Sequence, residues 1–297
     1  MPLTTRRRAV TTFAAALTAV VAAPAYAHAA PEAAAATEKD IPRTGAGARP
    51  LAHAHAHNDY LHPRPLHDAL DHGFTSVEAD IFLVDGELLV AHEATDLDPA
   101  RTLRSLYLDP LRSRVRAHHG SVYRGYHRPV QLLIDIKNEG AAAYTELHRQ
   151  LTAYRSLLST YAYGVVRPGA VTPVISGDRA ARVPMEAQRV RHAFYDGRLD
   201  DLGTAAGADF VPLISANWTQ TFSWSGTGPI PTAERATLRT LVDTAHRRGQ
   251  RVRFWSTPDL PGPARDAVWT ELLSAGVDHL NTDDLAGLEQ FLRNHRM

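Results

Sequence analysis

Apolar residues along this chain fall into two alternating patterns. Short runs rich in Val, Ile, Leu and Phe are separated by longer stretches in which apolar side chains recur every three or four positions. The short runs predict strands over Leu51 to His57, Ser76 to Leu83, Leu88 to His92, Val130 to Lys137, Val171 to Ser176, His192 to Tyr195, Phe210 to Ser215, Val252 to Ser256 and His279 to Asn281. Pro65 to His72 carries Leu66, Ala69 and Leu70 at helical spacing and stops at Gly73. Ala233 to Arg248 places Leu238, Leu241, Val242 and Ala245 on one face and is closed by Gly249. Asp85-Gly86 predicts a two-residue hairpin turn between the second and third strands. Strands alternating with helices predict a parallel sheet with crossover helices, so the fold class is α/β and the architecture a (β/α)8 TIM barrel. Residues 94 to 128, with Arg-rich and His-rich patches, read as an excursion over the barrel mouth.

The amino terminus breaks this pattern. Arg6, Arg7 and Arg8 precede an apolar run from Ala9 to Ala22 and a small-residue site at Ala25-Tyr26-Ala27, the layout of an export signal. The expectation is therefore a signal peptide over residues 1–27, by the Sec or the twin-arginine route, and a secreted product. Residues 28–48 are rich in Ala, Pro, Gly and Thr and read as a flexible leader, which leaves one domain over 49–297. Its length of roughly 250 residues suits a single barrel. Removing the signal takes three arginines from a chain of formal charge +0, leaving about −3, which argues against a nucleic-acid partner. With 0 cysteines, disulfides, thiolate metal sites and a cysteine nucleophile are excluded.

In a parallel barrel the active site lies at the carboxyl ends of the strands, which makes polar residues there the candidates. Glu78 and Asp80 stand two apart in a β-rich run and so share one face, expected to be the barrel interior. Two buried carboxylates repel each other and lose hydration, so a cation must compensate them. Asp135, in the run Leu132-Leu133-Ile134, supplies a third oxygen, and three carboxylates favour one divalent cation, Mg²⁺ or Ca²⁺. Lys137 faces the same way, as a contact for a phosphate oxygen or as a partner of Asp135 or Glu139. His57 and His92 flank the Glu78/Asp80 pair and suit a general base and a general acid. Asn58 and Trp255 are further candidates for binding substrate, Trp255 as an aromatic wall or as ordinary packing.

The segments His57-Asn58-Asp59, Val77-Glu78-Ala79-Asp80, Val90-Ala91-His92-Glu93, Ile134-Asp135-Ile136-Lys137, Phe254-Trp255-Ser256 and Asn281-Thr282-Asp283 resemble, in the same order, the glycerophosphodiester phosphodiesterase and phosphatidylinositol-specific phospholipase C superfamily. The resemblance implies a phospholipase C-like barrel, base and acid roles for His57 and His92, and metal ligation by Glu78, Asp80 and Asp135. It also implies attack by a neighbouring substrate hydroxyl through a cyclic phosphate. Asp as the third ligand is similar to the spider-type sphingomyelinases D. Asn58-Asp59-Tyr60 stands where glycerophosphodiesterases carry Arg-Gly, and that start resembles the branch of yeast proteins named for altered inheritance of mitochondria.

The partner expected is a small or lipid phosphodiester, with transient contact at a membrane surface and no obligate protein partner. Two other readings carry different signatures. The alternation His53, His55, His57 invites an amidohydrolase-like metal hydrolase, which needs more histidines at later strand ends. A non-catalytic barrel that binds a phosphorylated ligand would keep the fold without turnover.

Overall fold

The computed structural model describes residues Ala48–His295. The predicted signal peptide and nearly all of the leader lie outside the described residues. Twelve strands form in chain order: β1 (Leu51–Ala56), β2 (Phe74–Val84), β3 (Glu87–Val90), β4 (Val130–Ile136), β5 (Thr160–Ala162), β6 (Val165–Arg167), β7 (Val171–Gly177), β8 (Val190–Arg191), β9 (Phe194–Gly197), β10 (Leu213–Asn217), β11 (Arg251–Trp255) and β12 (His279–Thr282). Eight of them run parallel in the order β1-β2-β4-β7-β9-β10-β11-β12, and β12 pairs with β1 to close the barrel. β3 adds antiparallel to β2 through the Asp85-Gly86 turn, where both residues have positive φ (47° and 83°) as a type I′ hairpin requires.

Helices pack outside the sheet: α1 (His67–Asp71), α2 (Asp109–Ala117), α3 (Gly140–Thr152), α4 (Arg182–Glu186), α5 (Trp218–Thr221), α6 (Thr232–His246), α7 (Pro263–Ser274) and α8 (Leu285–Asn294). The apolar face predicted around Leu238 is the buried face of α6, with Leu238, Val242 and Ala245 inside. Most strand predictions hold to within a residue or two. The exception at the start of β10 has a local cause: Pro212 has no N–H to give the ladder, so the strand begins at Leu213 rather than Phe210. The small antiparallel sheet β6-β5-β8 was not anticipated.

Residues 94–128 do not lie over the mouth. The segment starts at the carboxyl end of the barrel, where Arg101 donates to the Tyr60 carbonyl, and ends at the opposite end, where the Tyr123 hydroxyl donates to the Phe74 carbonyl at 2.6 Å. Between these points Leu103, Tyr107, Leu108, Leu111 and Val115 are buried at helical spacing. It is therefore the crossover helix between β2 and β4, its apolar stripe hidden in sequence by the arginines on its outer face.

The barrel interior is divided. On one side Leu133, Val174, Phe194 and Leu213 form a buried apolar plug. On the other, His55, Ser76, Glu78, Gln131, Arg253 and Asn281 are buried and polar. These groups satisfy one another in a chain. Arg251 Nη2 donates to Gln131 Oε1 at 2.8 Å, and Gln131 Nε2 to Ser76 Oγ at 2.8 Å. Ser76 Oγ meets His55 Nδ1 at 2.7 Å, and His55 Nε2 meets Glu78 Oε2 at 3.0 Å. Arginine only donates, so the Gln131 amide turns its N–H toward Ser76, while His55 Nε2 stands between the Glu78 carboxylate and Arg253 Nη1, the latter at 2.8 Å. Arg253 Nη1 completes the arrangement by donating to Glu78 Oε2 at 2.6 Å.

Removing Arg253 leaves Glu78 buried without its ion-pair partner, a change that typically costs about 3–5 kcal/mol. Arg253→Met in metal-free buffer should lower unfolding stability by roughly that amount in urea. An unchanged midpoint would show that Glu78 is held by other means.

Candidate active site

The barrel mouth is assembled from the ends of β1, β2, β4, β11 and β12 and from His92, two residues after β3. Beyond β1, Asn58 adopts a left-handed conformation (φ 47°), tolerated by Asn, which turns the chain sharply after His57. His57 Nδ1 lies 2.8 Å from Asp283 Oδ1. That carboxylate accepts, so Nδ1 carries the proton and Nε2 keeps a lone pair. Asn58 Nδ2 donates to the same oxygen at 3.3 Å. Asp283 is anchored in turn by its own N–H, which donates to Asp259 Oδ2 at 2.7 Å. Burial opposes protonation of His57, but the charge of Glu78 and the hydrogen bond to Asp283 outweigh it, and its pKa is raised.

Glu78 and Asp80 both point into the barrel, as their spacing predicts, and are buried. The register pairs Asp80 with Asp135 on the neighbouring strand, with Glu78 one layer below beside Leu133. As a result one oxygen from each of Glu78, Asp80 and Asp135 lies within 4.8 Å of the others. Burial raises the pKa of Glu78, but Arg253, His57 and His55 together hold it well below the usual range. Asp135 is pushed up to about 6 by burial, with Lys137 opposing the shift. Gly177, at the end of β7, has φ 79° and lies so close that a Cβ there would come within 2.6 Å of Asp135 Oδ1. No side chain fits at that position.

These three residues fit a divalent cation. Asp80 Oδ1 is buried with no hydrogen-bond partner, and the three donors are hard oxygens. Lys137 Nζ sits 2.8 Å from Asp80 Oδ2 and 3.2 Å from Asp135 Oδ1, so it pairs with both acids rather than with Glu139. His92 follows β3 with about half of its side chain exposed (48%), while its Nδ1 lies 3.2 Å from Asp80 Oδ2 and 2.9 Å from the Tyr60 hydroxyl. The hydrogen bond to Asp80 raises its pKa against the effect of partial burial. Trp255 ends β11 two residues after Arg253 and so shares its inward face at the mouth, half-buried.

Sequence reasoning missed several members of the site. Tyr60 links Asn58, Asp80 and His92, with its hydroxyl 2.5 Å from Asn58 Oδ1 and 2.6 Å from Asp80 Oδ2. Arg253 was legible as a charge in the interior phase of an apolar strand. On the far wall Asp196 Oδ2 accepts from Ser176 Oγ at 2.9 Å and Arg198 Nη1 at 2.8 Å, a group spread over two strands and a loop. The histidine alternation reads differently in three dimensions: His55 is committed to Ser76 and Glu78, and the converging ligand group among the described residues contains no histidine. The histidine-rich metal site that the amidohydrolase-like reading needs is not found among the described residues.

Fold and site together define a TIM barrel of the phosphodiesterase type. The chain matches the AIM6-like phosphodiesterase domain over residues 46–196 and belongs to that family. Residues 251–286 match the Glycerophosphoryl diester phosphodiesterase family. Among curated relatives, the Altered inheritance of mitochondria protein 6 homolog of Arthroderma benhamiae is 29% identical, over 78% of this chain and 81% of its own length. Altered inheritance of mitochondria protein 6 of Eremothecium gossypii is 32% identical, over 81% of this chain and 69% of its own. The Saccharomyces cerevisiae protein of that name is 24% identical, over 78% and 68%.

Asp59, beside the site, carries a pH-dependent load. Its Oδ2 accepts from the Leu66 N–H at 2.5 Å and the Tyr107 hydroxyl at 2.9 Å, while Oδ1 is buried without a partner. Burial pushes its pKa up to about 7 despite those two bonds. The folded chain thus holds this proton more tightly than the unfolded chain, and the group's contribution to stability falls as pH rises from about 4 to about 7. Asp59→Asn cannot ionise and keeps an acceptor in place of Oδ2. Its stability relative to wild type should improve by a few kcal/mol between about pH 4 and pH 8 in urea titrations. A pH-independent difference would refute the assignment.

Proposed function

We propose that this protein is a secreted, metal-dependent phosphoric diester hydrolase acting on glycerophosphodiesters or phospholipid head groups. The observation that carries the reading is the convergence of Glu78, Asp80 and Asp135 at the barrel mouth, flanked by His57 and His92. The carboxylates would hold one Mg²⁺ or Ca²⁺, which supplies positive charge to the phosphoryl oxygens when bound. His57, oriented by Asp283, takes the proton from the attacking oxygen at Nε2. That oxygen is a water or a neighbouring substrate hydroxyl, and in the second case a cyclic phosphate forms. His92, hydrogen-bonded to Asp80, gives a proton to the leaving oxygen as the bond between phosphorus and that oxygen breaks. Lys137 offsets negative charge that grows on the phosphoryl group. Asn58 and Trp255 line the space for the head group. The Arg6–Ala27 pattern supports export.

His57→Ala and His92→Ala should each lower kcat/KM for a diester by about 10²–10⁴-fold with little change in Tm. The wild type should melt higher with Mg²⁺ or Ca²⁺ than with chelator, because an ion that binds only the folded chain stabilises it by mass action. Asp135→Asn should lose both that shift and turnover. Identical wild-type melts in all three conditions, together with normal turnover by Asp135→Asn, would end the metal-site reading. If no diester turns over while phosphorylated ligands still raise Tm, the barrel is a binding protein. Mass spectrometry of protein from culture medium should find a chain beginning at His28. An intact Met1 terminus on cell-retained protein would overturn the proposed export.

A further inference from the structure

At the end of the barrel opposite the candidate active site, a cavity of about 390 Å³ opens between the strand starts. Its size falls within the range of small-molecule pockets, roughly 300–1,000 Å³. Arg251, His279, Arg128 and Tyr126 converge on it from β11, β12 and the segment before β4. Asp278 also lines it, but its Oδ2 already accepts from the Val252 N–H and from His246 Nε2, both at 2.8 Å.

Two of these groups are incompletely satisfied. His279 is 2% exposed, and neither ring nitrogen has a hydrogen-bond partner among the described residues. A buried imidazole left in that condition is costly unless something else in the cavity meets it. Arg251 makes one side-chain hydrogen bond, from Nη2 to the neutral amide of Gln131. Burial lowers its pKa against the charge of Asp278, and the carboxylate that partners Arg253, two residues on, does not reach it. A half-buried guanidinium with donors left over, beside an unpartnered imidazole, with a second arginine at the rim and a phenol nearby, suits an anion with several oxygen acceptors.

We propose that this cavity is a second ligand site, one that binds a phosphate group, free or as a monoester, through Arg251, Arg128, Tyr126 and His279. It is separate from the three-carboxylate cluster and does not depend on that cluster's function. Arginine is the side chain best matched to phosphate because its fork of donors meets two oxygens at once. Glu78, Asp80 and Asp135 repel anions when no cation is present, so metal-free protein isolates the new site.

The test uses the full chain in chelator at matched ionic strength, titrated separately with inorganic phosphate, glycerol 3-phosphate and chloride, and followed by Tm and calorimetry. Phosphate or its ester should raise Tm saturably while chloride does not, and the tighter of the two identifies the form the cavity takes. Arg251→Gln should weaken binding about tenfold or more, and Tyr126→Phe by several-fold. Asp135→Asn should bind phosphate as the wild type does. Should Arg251→Gln fail to fold, Tyr126→Phe and Arg128→Gln carry the same expectation. The proposal is overturned if chloride matches phosphate, if the cavity variants bind unchanged, or if Asp135→Asn removes binding.

Discussion

Glu78 and Arg253 meet at 2.6 Å inside a parallel barrel, where neither charge would be tolerated alone. The rest of the site leans on that contact. It holds Glu78 ionised in spite of its burial, and it lets one side of the interior be polar while the other is closed by Leu133, Val174, Phe194 and Leu213. An all-apolar interior would pack at least as well, so the polar side is retained at a stability disadvantage. Its return is a carboxylate fixed one layer below Asp80 and Asp135, with its remaining oxygen free for another partner.

Barrel closure supplies the second constraint. β1 pairs with both β2 and β12, so His57, from the first strand, reaches Asp283 just past the last one while standing close to Glu78 on β2. His92 reaches the opposite side of the carboxylates by another device, the tight Asp85-Gly86 hairpin that folds β3 back along β2. The two histidines are thus brought to one mouth by different elements, and each is oriented through Nδ1 by a carboxylate. Tyr60 joins the two halves through Asn58, Asp80 and His92.

The polar side also joins the two ends of the barrel. From Arg251 the hydrogen bonds run across the barrel from β11 to Gln131 on β4, and then through Ser76 and His55 to Glu78 on the neighbouring strands β2 and β1. Each member has its partner in a water-poor interior, where such chains polarise and stiffen one another. The cavity beside Arg251 and the carboxylate cluster at the mouth therefore share one rigid scaffold.

What the amino-acid sequence determined by itself was local and periodic. Alternation in Val77 to Leu83 put Glu78 and Asp80 on one face, Asp85-Gly86 announced the hairpin, and the strand-helix rhythm gave the barrel, because each depends on near neighbours in the chain. The eight candidate residues consequently assemble at one end. The register between strands, by contrast, was decided only in three dimensions. It places Asp135 beside Asp80, Asp283 against His57 and Arg253 under Glu78, contacts between residues 55, 226 and 175 positions apart. The crossover over residues 94–128 was misread for a related reason: its arginines are interleaved with its apolar positions, and only packing shows which face is buried. His279 and Arg251 look like ordinary strand residues in the sequence. Their missing partners emerge only when the barrel closes around them, since an unsatisfied hydrogen bond is a property of the whole enclosure.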